Sequence, residues 1–188
     1  MIVVESRRRS RDALERQYPG ALFLDVTSRG ESPWVKFSPF YPIGGIPVPF
    51  SEGYSSMSVE GIWQGLKVFE REGIDTSRFQ VSSMRGLKRT VRAHGRVLGH
   101  QRGVHGTTLL EYVEARRLIY LPAYQWVLQQ QLATELELLR KEAAQRAVVL
   151  LDYETNADVL DVRRPLSHAS LVARHVEGTL PEAPYEKS

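Results

Sequence analysis

The amino-acid sequence predicts a mainly helical α+β protein, a single domain with a few short strands. Three observations carry the prediction. Val59, Ile62, Leu66 and Phe69 recur at three- and four-residue intervals, one apolar stripe of a helix. Residues 108–145 keep a helical pattern interrupted once, at Tyr120-Leu121-Pro122. Residues 147–151 are a continuous apolar run, which marks a strand. A chain of 188 residues, 42% of them hydrophobic, can bury about two-thirds of its unfolded surface and support one core unaided. The expected domain spans 1–177, with its core at about 21–176 and a loose tail at 178–188.

In chain order, residues 10–18 read as a short helix stopped by Pro19-Gly20, and residues 21–26 as an apolar strand. Residues 34–54 hold four prolines and three glycines among aromatic side chains, so they predict ordered loops and short extended pieces. Ser58 has the character of an N-cap, opening a helix over 59–71 that ends near Gly73. Residues 85–106 are basic and rich in glycine and histidine, and predict a short helix leading into a loop. Helices follow at 108–118 and 123–145, then the strand at 147–151 and an acidic loop from Asp152 to Asp158. A last helix runs from about Pro165 to Val176.

Composition narrows the chemistry. There is no cysteine, which excludes disulfide scaffolds, thiolate metal sites and cysteine nucleophiles, and fits a reducing compartment. No apolar run approaches the roughly 20 residues needed to cross a bilayer, and no signal core follows the N-terminal charges. A cytoplasmic protein without a membrane partner is expected. Lysine occurs only as Lys36, Lys67, Lys88, Lys141 and Lys187, so most of the basic charge is arginine. Arginine presents a planar fork suited to phosphate, although arginine-rich coding alone produces the same bias.

Two segments stand out. Gly61 and Gly65, four apart, leave a bare strip along the helix that something must approach closely, either another backbone or a flat ligand. Beside it lie Glu60, Trp63, Gln64 and Lys67 on a second stripe. The plain alternative is an exposed ladder worth a few tenths of a kcal/mol, about the value of helical side-chain pairs. In the loop after the late strand, Asp152, Glu154 and Asp158 fall where a rigid strand opens into solvent. The histidines at 94, 100, 105, 168 and 175 lack zincin spacing, and the first three sit among arginines, so no metal site is expected. Gly95, Gly99, Gly103 and Gly106 could instead close backbone amides around an anion. No P-loop, dinucleotide fingerprint or serine elbow is present. Arg7, Arg8, Arg9 and Arg11 form a short patch able to touch a nucleic-acid backbone without reading sequence.

Phe37-Ser38-Pro39-Phe40-Tyr41-Pro42, then Ser58-Val59-Glu60 and Gln64 to Lys67, resemble the NADAR (YbiA-like) superfamily. There an F-S-N-F-Y-P-like opening precedes a T-V-E-H-Y-Y-Q-A-Q-K-F-like helix. The resemblance continues through Lys88, Arg89, Gly95 and Arg96, a long helical hairpin, and Leu150-Leu151-Asp152 through Asp158, over residues 34–176. The chain departs from the pattern at Pro39 and Gly61-Ile62-Trp63, and it lacks the D-W and W-G-I-G segments, as a divergent member would. The resemblance implies a YbiA-like fold and N-glycosidase activity on a phosphate-bearing ribosyl compound, without metal or redox cofactor. The substrate would be ADP-ribosylated guanine, free or in nucleic acid, or a phosphoribosylamino-pyrimidine intermediate of riboflavin synthesis. Glu60 would be the catalytic carboxylate, with Asp152 or Asp158 as the second. Trp34, Phe40, Tyr41 and Trp63 would stack on the base, Gln64 would bond the base or ribose, and Lys67, Arg89, Arg96 and His100 would hold the phosphate and ribose. Two alternatives stay open: a non-catalytic module binding ADP-ribose or a nucleotide, and a small accessory protein meeting nucleic acid through its arginine-rich N-terminus.

Overall fold

The computed structural model of the chain describes residues 1–180, and the part of the expected tail beyond Leu180 lies outside the described residues. The architecture is an α+β mix in which helix outweighs strand. By its internal contacts the chain divides into two compact units, residues 1–38 with 128–180, and Pro39–Val127.

The first unit is organised by a three-stranded parallel sheet in the order β1 (Ile2–Ser6), β8 (Val148–Asp152), β2 (Leu22–Asp25). β8 is central and carries the apolar run of the sequence, because Val148, Val149 and Leu150 have no exposed surface. β1 was not expected. Its Ile2-Val3-Val4 run is short and abuts arginines, so only the pairing of Ile2 through Ser6 with Val148 through Asp152 makes it a strand. α1 (Arg11–Gln17) is capped by Ser10, whose hydroxyl accepts from Ala13 N, and it buries Leu14. A 3-10 turn (Trp34–Phe37) ends on fully buried Phe37. α6 (Ala133–Gln145) precedes β8, and α7 (His168–Val176) packs against β1 and β8. Beyond α7, Thr179 N and Leu180 N both donate to Arg174 O and close the end of the helix.

The second unit contains the β3–β4 ribbon (Ile46–Pro47, Ser55–Ser56) and an antiparallel sheet β5 (Lys67–Phe69), β6 (Val97–Gln101), β7 (Leu109–Leu110). α2 (Val59–Gly65) lies buried along almost its whole length, opened by Ser58, whose hydroxyl accepts from Gly61 N. The expected helix over 59–71 therefore stops early. Lys67–Phe69 leave the helix to pair with β6. The bare glycine strip is filled from within the protein. A Cβ at Gly65 would stand 2.3 Å from Phe79 Cε1, and one at Gly61 would stand 2.8 Å from Arg78 O. Both neighbours belong to a 3-10 turn (Thr76–Gln80), so the strip receives protein, not a flat ligand.

The basic stretch forms α3 (Val91–His94) and then β6 rather than a loop. α4 (Tyr112–Ala115) runs through a π-helical turn (Arg116–Tyr120) into α5 (Leu121–Gln130), which passes the division at residue 127. The expected break at Pro122 does not occur. Proline lacks an N–H, and the wider turn before it absorbs the lost bond without ending the helix. The helix breaks instead at Gln131 and Leu132, where the Leu132 side chain is fully buried. No helix among the described residues is long and apolar enough to cross a membrane.

Candidate functional site

In the second unit, α2 and the start of β5 gather the residues of the second stripe around one carboxylate. Glu60 is buried, at 7% exposure, because its backbone N–H is pinned to Pro39 O at 2.8 Å and α2 is covered on nearly every side. Gln64 Nε2 donates to Glu60 Oε1 at 2.8 Å, one helical turn along. Gln64 Oε1 in turn accepts from Arg89 N at 3.0 Å, which fixes which end of the amide faces the carboxylate. Burial pushes the Glu60 carboxyl above its ordinary range, while the Gln64 bond and the charges of Lys67 and Lys88 pull it back. Burial likewise pushes the Lys67 amine down, and Glu60 opposes that shift. The exposed ladder is thereby excluded, since Glu60 and Gln64 are both buried.

Lys67 and His100 face each other across β5 and β6. The Lys67 ammonium lies 5.8 Å from the Trp63 ring centroid, and the Trp63 indole lies against the His100 imidazole with centroids 3.8 Å apart and planes tilted by 34°. Tyr112 and Tyr120 meet the Trp63 ring edge-on at 5.8 and 5.7 Å. His100 is 1% exposed, and neither ring nitrogen has a hydrogen-bond partner among the described residues. Burial, aided by Lys67, lowers its imidazole to about 3, and the backbone of Trp63 opposes this. His100 is therefore neutral, with one donor and one acceptor unmet. Each buried unmet group costs about 1–3 kcal/mol. Phe40 carries the Lys88 ammonium 5.3 Å from its ring centroid, and Tyr41 is half-buried.

The remaining basic candidates are occupied. Arg89 donates to the carbonyls of Gln64, Lys67 and Gly73 at 3.1, 2.7 and 2.6 Å and pairs with Glu72, so it holds the end of α2. Arg96 is an exposed partner of Glu70, and His94 contacts Glu72. The glycines of this stretch serve turns and close packing: a Cβ on Gly103 would stand 2.0 Å from Phe50 O.

In the first unit, Asp152 ends β8 in a closed set of bonds. Its carboxylate accepts from Tyr153 N at 2.7 Å, Ser167 Oγ at 2.8 Å and Ala169 N at 3.3 Å, and it pairs with His168 Nδ1 at 3.0 Å. His168 Nε2 lies 2.8 Å from Val26 O, so both ring nitrogens face acceptors, as in an imidazolium. Burial opposes charge on both groups, but their mutual attraction wins, holding Asp152 below and His168 above their ordinary ranges. Asp158 is exposed, with its Oδ1 accepting from Leu160 N within its own loop. Trp34 stacks on Phe37 at 6.3 Å. The N-terminal arginines all have acidic neighbours: Arg7 pairs with Asp25, Arg8 with Glu154, Arg9 with Glu5 and Arg11 with Glu15.

A family profile matches residues 6–172. The chain belongs to DUF6939, a family of unknown function. No curated protein matches it. Every residue of both clusters lies within the span that defines the DUF6939 match. Sequence reasoning gave no site role to His168, Lys88, Tyr112 or Tyr120. His168 alone left a signal, as the residue after a serine cap at the start of an apolar-striped helix. No group of three or more metal-ligating side chains forms among the described residues.

Proposed function

We propose that this DUF6939 protein hydrolyses the N-ribosyl bond of a phosphate-bearing ribosyl compound, in the manner of the NADAR (YbiA-like) superfamily whose motifs it resembles. A divergent YbiA-like fold and a cytoplasmic setting go with this reading. The supporting observation is the buried Glu60 carboxylate, bonded by Gln64, attracted by two lysines and flanked by Trp63. As the bond from C1′ to the base nitrogen breaks, its electron pair leaves with the base and positive charge builds on the ribosyl ring. An ionised Glu60 stabilises that charge, then takes a proton from the water that adds to C1′. The base leaves as an anion and takes up the proton that Glu60 received from the water, so Glu60 is ionised again and base and ribosyl phosphate are the two products. Phe40 offers a flat apolar face for a heterocycle, while Lys67 and Lys88 attract the phosphate. The candidates are ADP-ribosylated guanine and phosphoribosylamino-pyrimidines.

A second reading, a module that binds ADP-ribose without cleaving it, is favoured by the state of the other carboxylates. Asp152 is saturated by four partners and Asp158 caps its own loop, which leaves Glu60 as the carboxylate. Base release from ADP-ribosylated guanosine and from a phosphoribosylamino-pyrimidine decides between them. Under the leading reading Glu60→Gln retains ADP-ribose binding and loses about 100-fold or more in kcat, the usual range for a lost acid–base group. Binding without base release in the wild-type protein establishes the second reading.

A further inference from the structure

His100 is the buried polar group that the chemistry above leaves unused. Gly99 fixes its position: a Cβ there would stand 2.6 Å from Leu110 O, so β6 is pressed against β7 directly before His100. Cross-strand Lys67 fixes it from the other side. The ring is thus held rigidly, is neutral, and has both nitrogens without a partner among the described residues. A folding role alone would favour an apolar residue here, because the imidazole contributes packing and leaves its polarity unsatisfied. What covers it is the Trp63 indole, which is half-buried and borders the exposed Tyr112.

We propose that Trp63 and His100 form a closed ligand-reading pair, in which a flat heterocycle displaces the indole from the imidazole and His100 then hydrogen-bonds that ligand. The proposal rests on the reading of this cluster as a ribosyl-ligand site. The heterocycle replaces one flat ring by another, so stacking is conserved. A neutral imidazole offers both a donor and an acceptor, and either tautomer can meet a ring nitrogen, an amide edge or a ribose hydroxyl. His100 thereby sets specificity for ligands with a polar edge and does not take part in proton transfer at the ribosyl carbon.

The test uses the full chain with GMP and ADP-ribose as probes, read by calorimetry. His100→Leu should weaken binding of the bound probe by about tenfold, equivalent to about 1.4 kcal/mol, while its melting temperature stays at or above wild type. His100→Gln, which keeps a donor and an acceptor, should recover affinity to within about threefold. His100→Phe keeps the flat ring and serves as the second apolar variant should His100→Leu not fold. In a Trp34→Phe/Trp126→Phe background, acrylamide quenching of Trp63 fluorescence should increase when the probe binds. Unchanged affinity in the apolar variants, or Trp63 that stays equally protected on binding, overturns the proposal while leaving the site reading intact. Binding of neither probe overturns both.

Discussion

Asp152 and His168 together are the strongest single-residue feature of the first unit. Removing one partner strands the other as a buried charge, a loss of about 3–5 kcal/mol in comparable pairs. Asp152→Asn should therefore lower unfolding stability by about 3 kcal/mol in denaturant titration, and a loss under about 1 kcal/mol would contradict the pairing. The pH dependence follows from the directions of the shifts. His168 is raised, so its stabilisation is complete below about pH 6.5, the unfolded value, and is lost as pH rises through the folded value. Asp152 is lowered, so its contribution is present above about pH 3.9 and is lost as pH falls through the folded value. Wild-type stability should decline on the alkaline side, and His168→Gln should flatten that limb. Glu60 has the opposite balance. Its raised value means that ionisation costs stability as pH climbs above about 4.3, so Glu60→Gln should melt higher than wild type at pH 8. Ser58 and Glu60 were legible because a cap and a carboxylate on a patterned helix are local features. The Asp152–His168 pair was not, because its members lie on separate elements.

At the scale of elements, α2 owes its length and placement to residues far along the chain. Arg89 takes up carbonyls that the end of the helix leaves without partners, and Phe79 fills the space that Gly65 leaves. Gly65→Ala should destabilise the protein by about 1–3 kcal/mol through overpacking. Phe79→Leu should recover part of that loss in the double variant, and additive losses would show that the two positions are independent. The stripe at Val59, Ile62, Leu66 and Phe69 located the helix but overran its end, since pairing with the distant β6 draws Lys67–Phe69 into a strand. The strand Val148–Asp152 was legible within one residue, because a fully buried parallel strand writes a continuous apolar run. β5, β6 and β7 were not, being two to five residues long, too short to write a period of their own.

For the whole molecule, the net charge of +3 conveys little about partners once the pairing is known. Each arginine of the N-terminal patch stands beside a carboxylate of its own unit, so few charges remain for a phosphate backbone. Any binding to duplex DNA should therefore be weak, with log K against log salt shallower than about −2. A slope near −4 in filter or anisotropy titrations would show that all four arginines engage phosphate. The two compact units were not foreseen either, as the first unit is assembled from two stretches far apart in the chain, 1–38 and 128–180.

The sequence by itself determined the α+β class, the buried strand, the cap at Ser58 and the segment around Glu60, because each rests on local periodicity or local hydrogen bonding. The tertiary structure alone decided what those residues face. It turned Gly61 and Gly65 toward the Thr76–Gln80 turn, committed Arg89 to backbone carbonyls, closed Asp152 on His168, and set Trp63 over an unmet His100. These outcomes depend on contacts between residues distant in sequence, and burial sets the protonation of Glu60, Lys67 and His100 only after those contacts have excluded water.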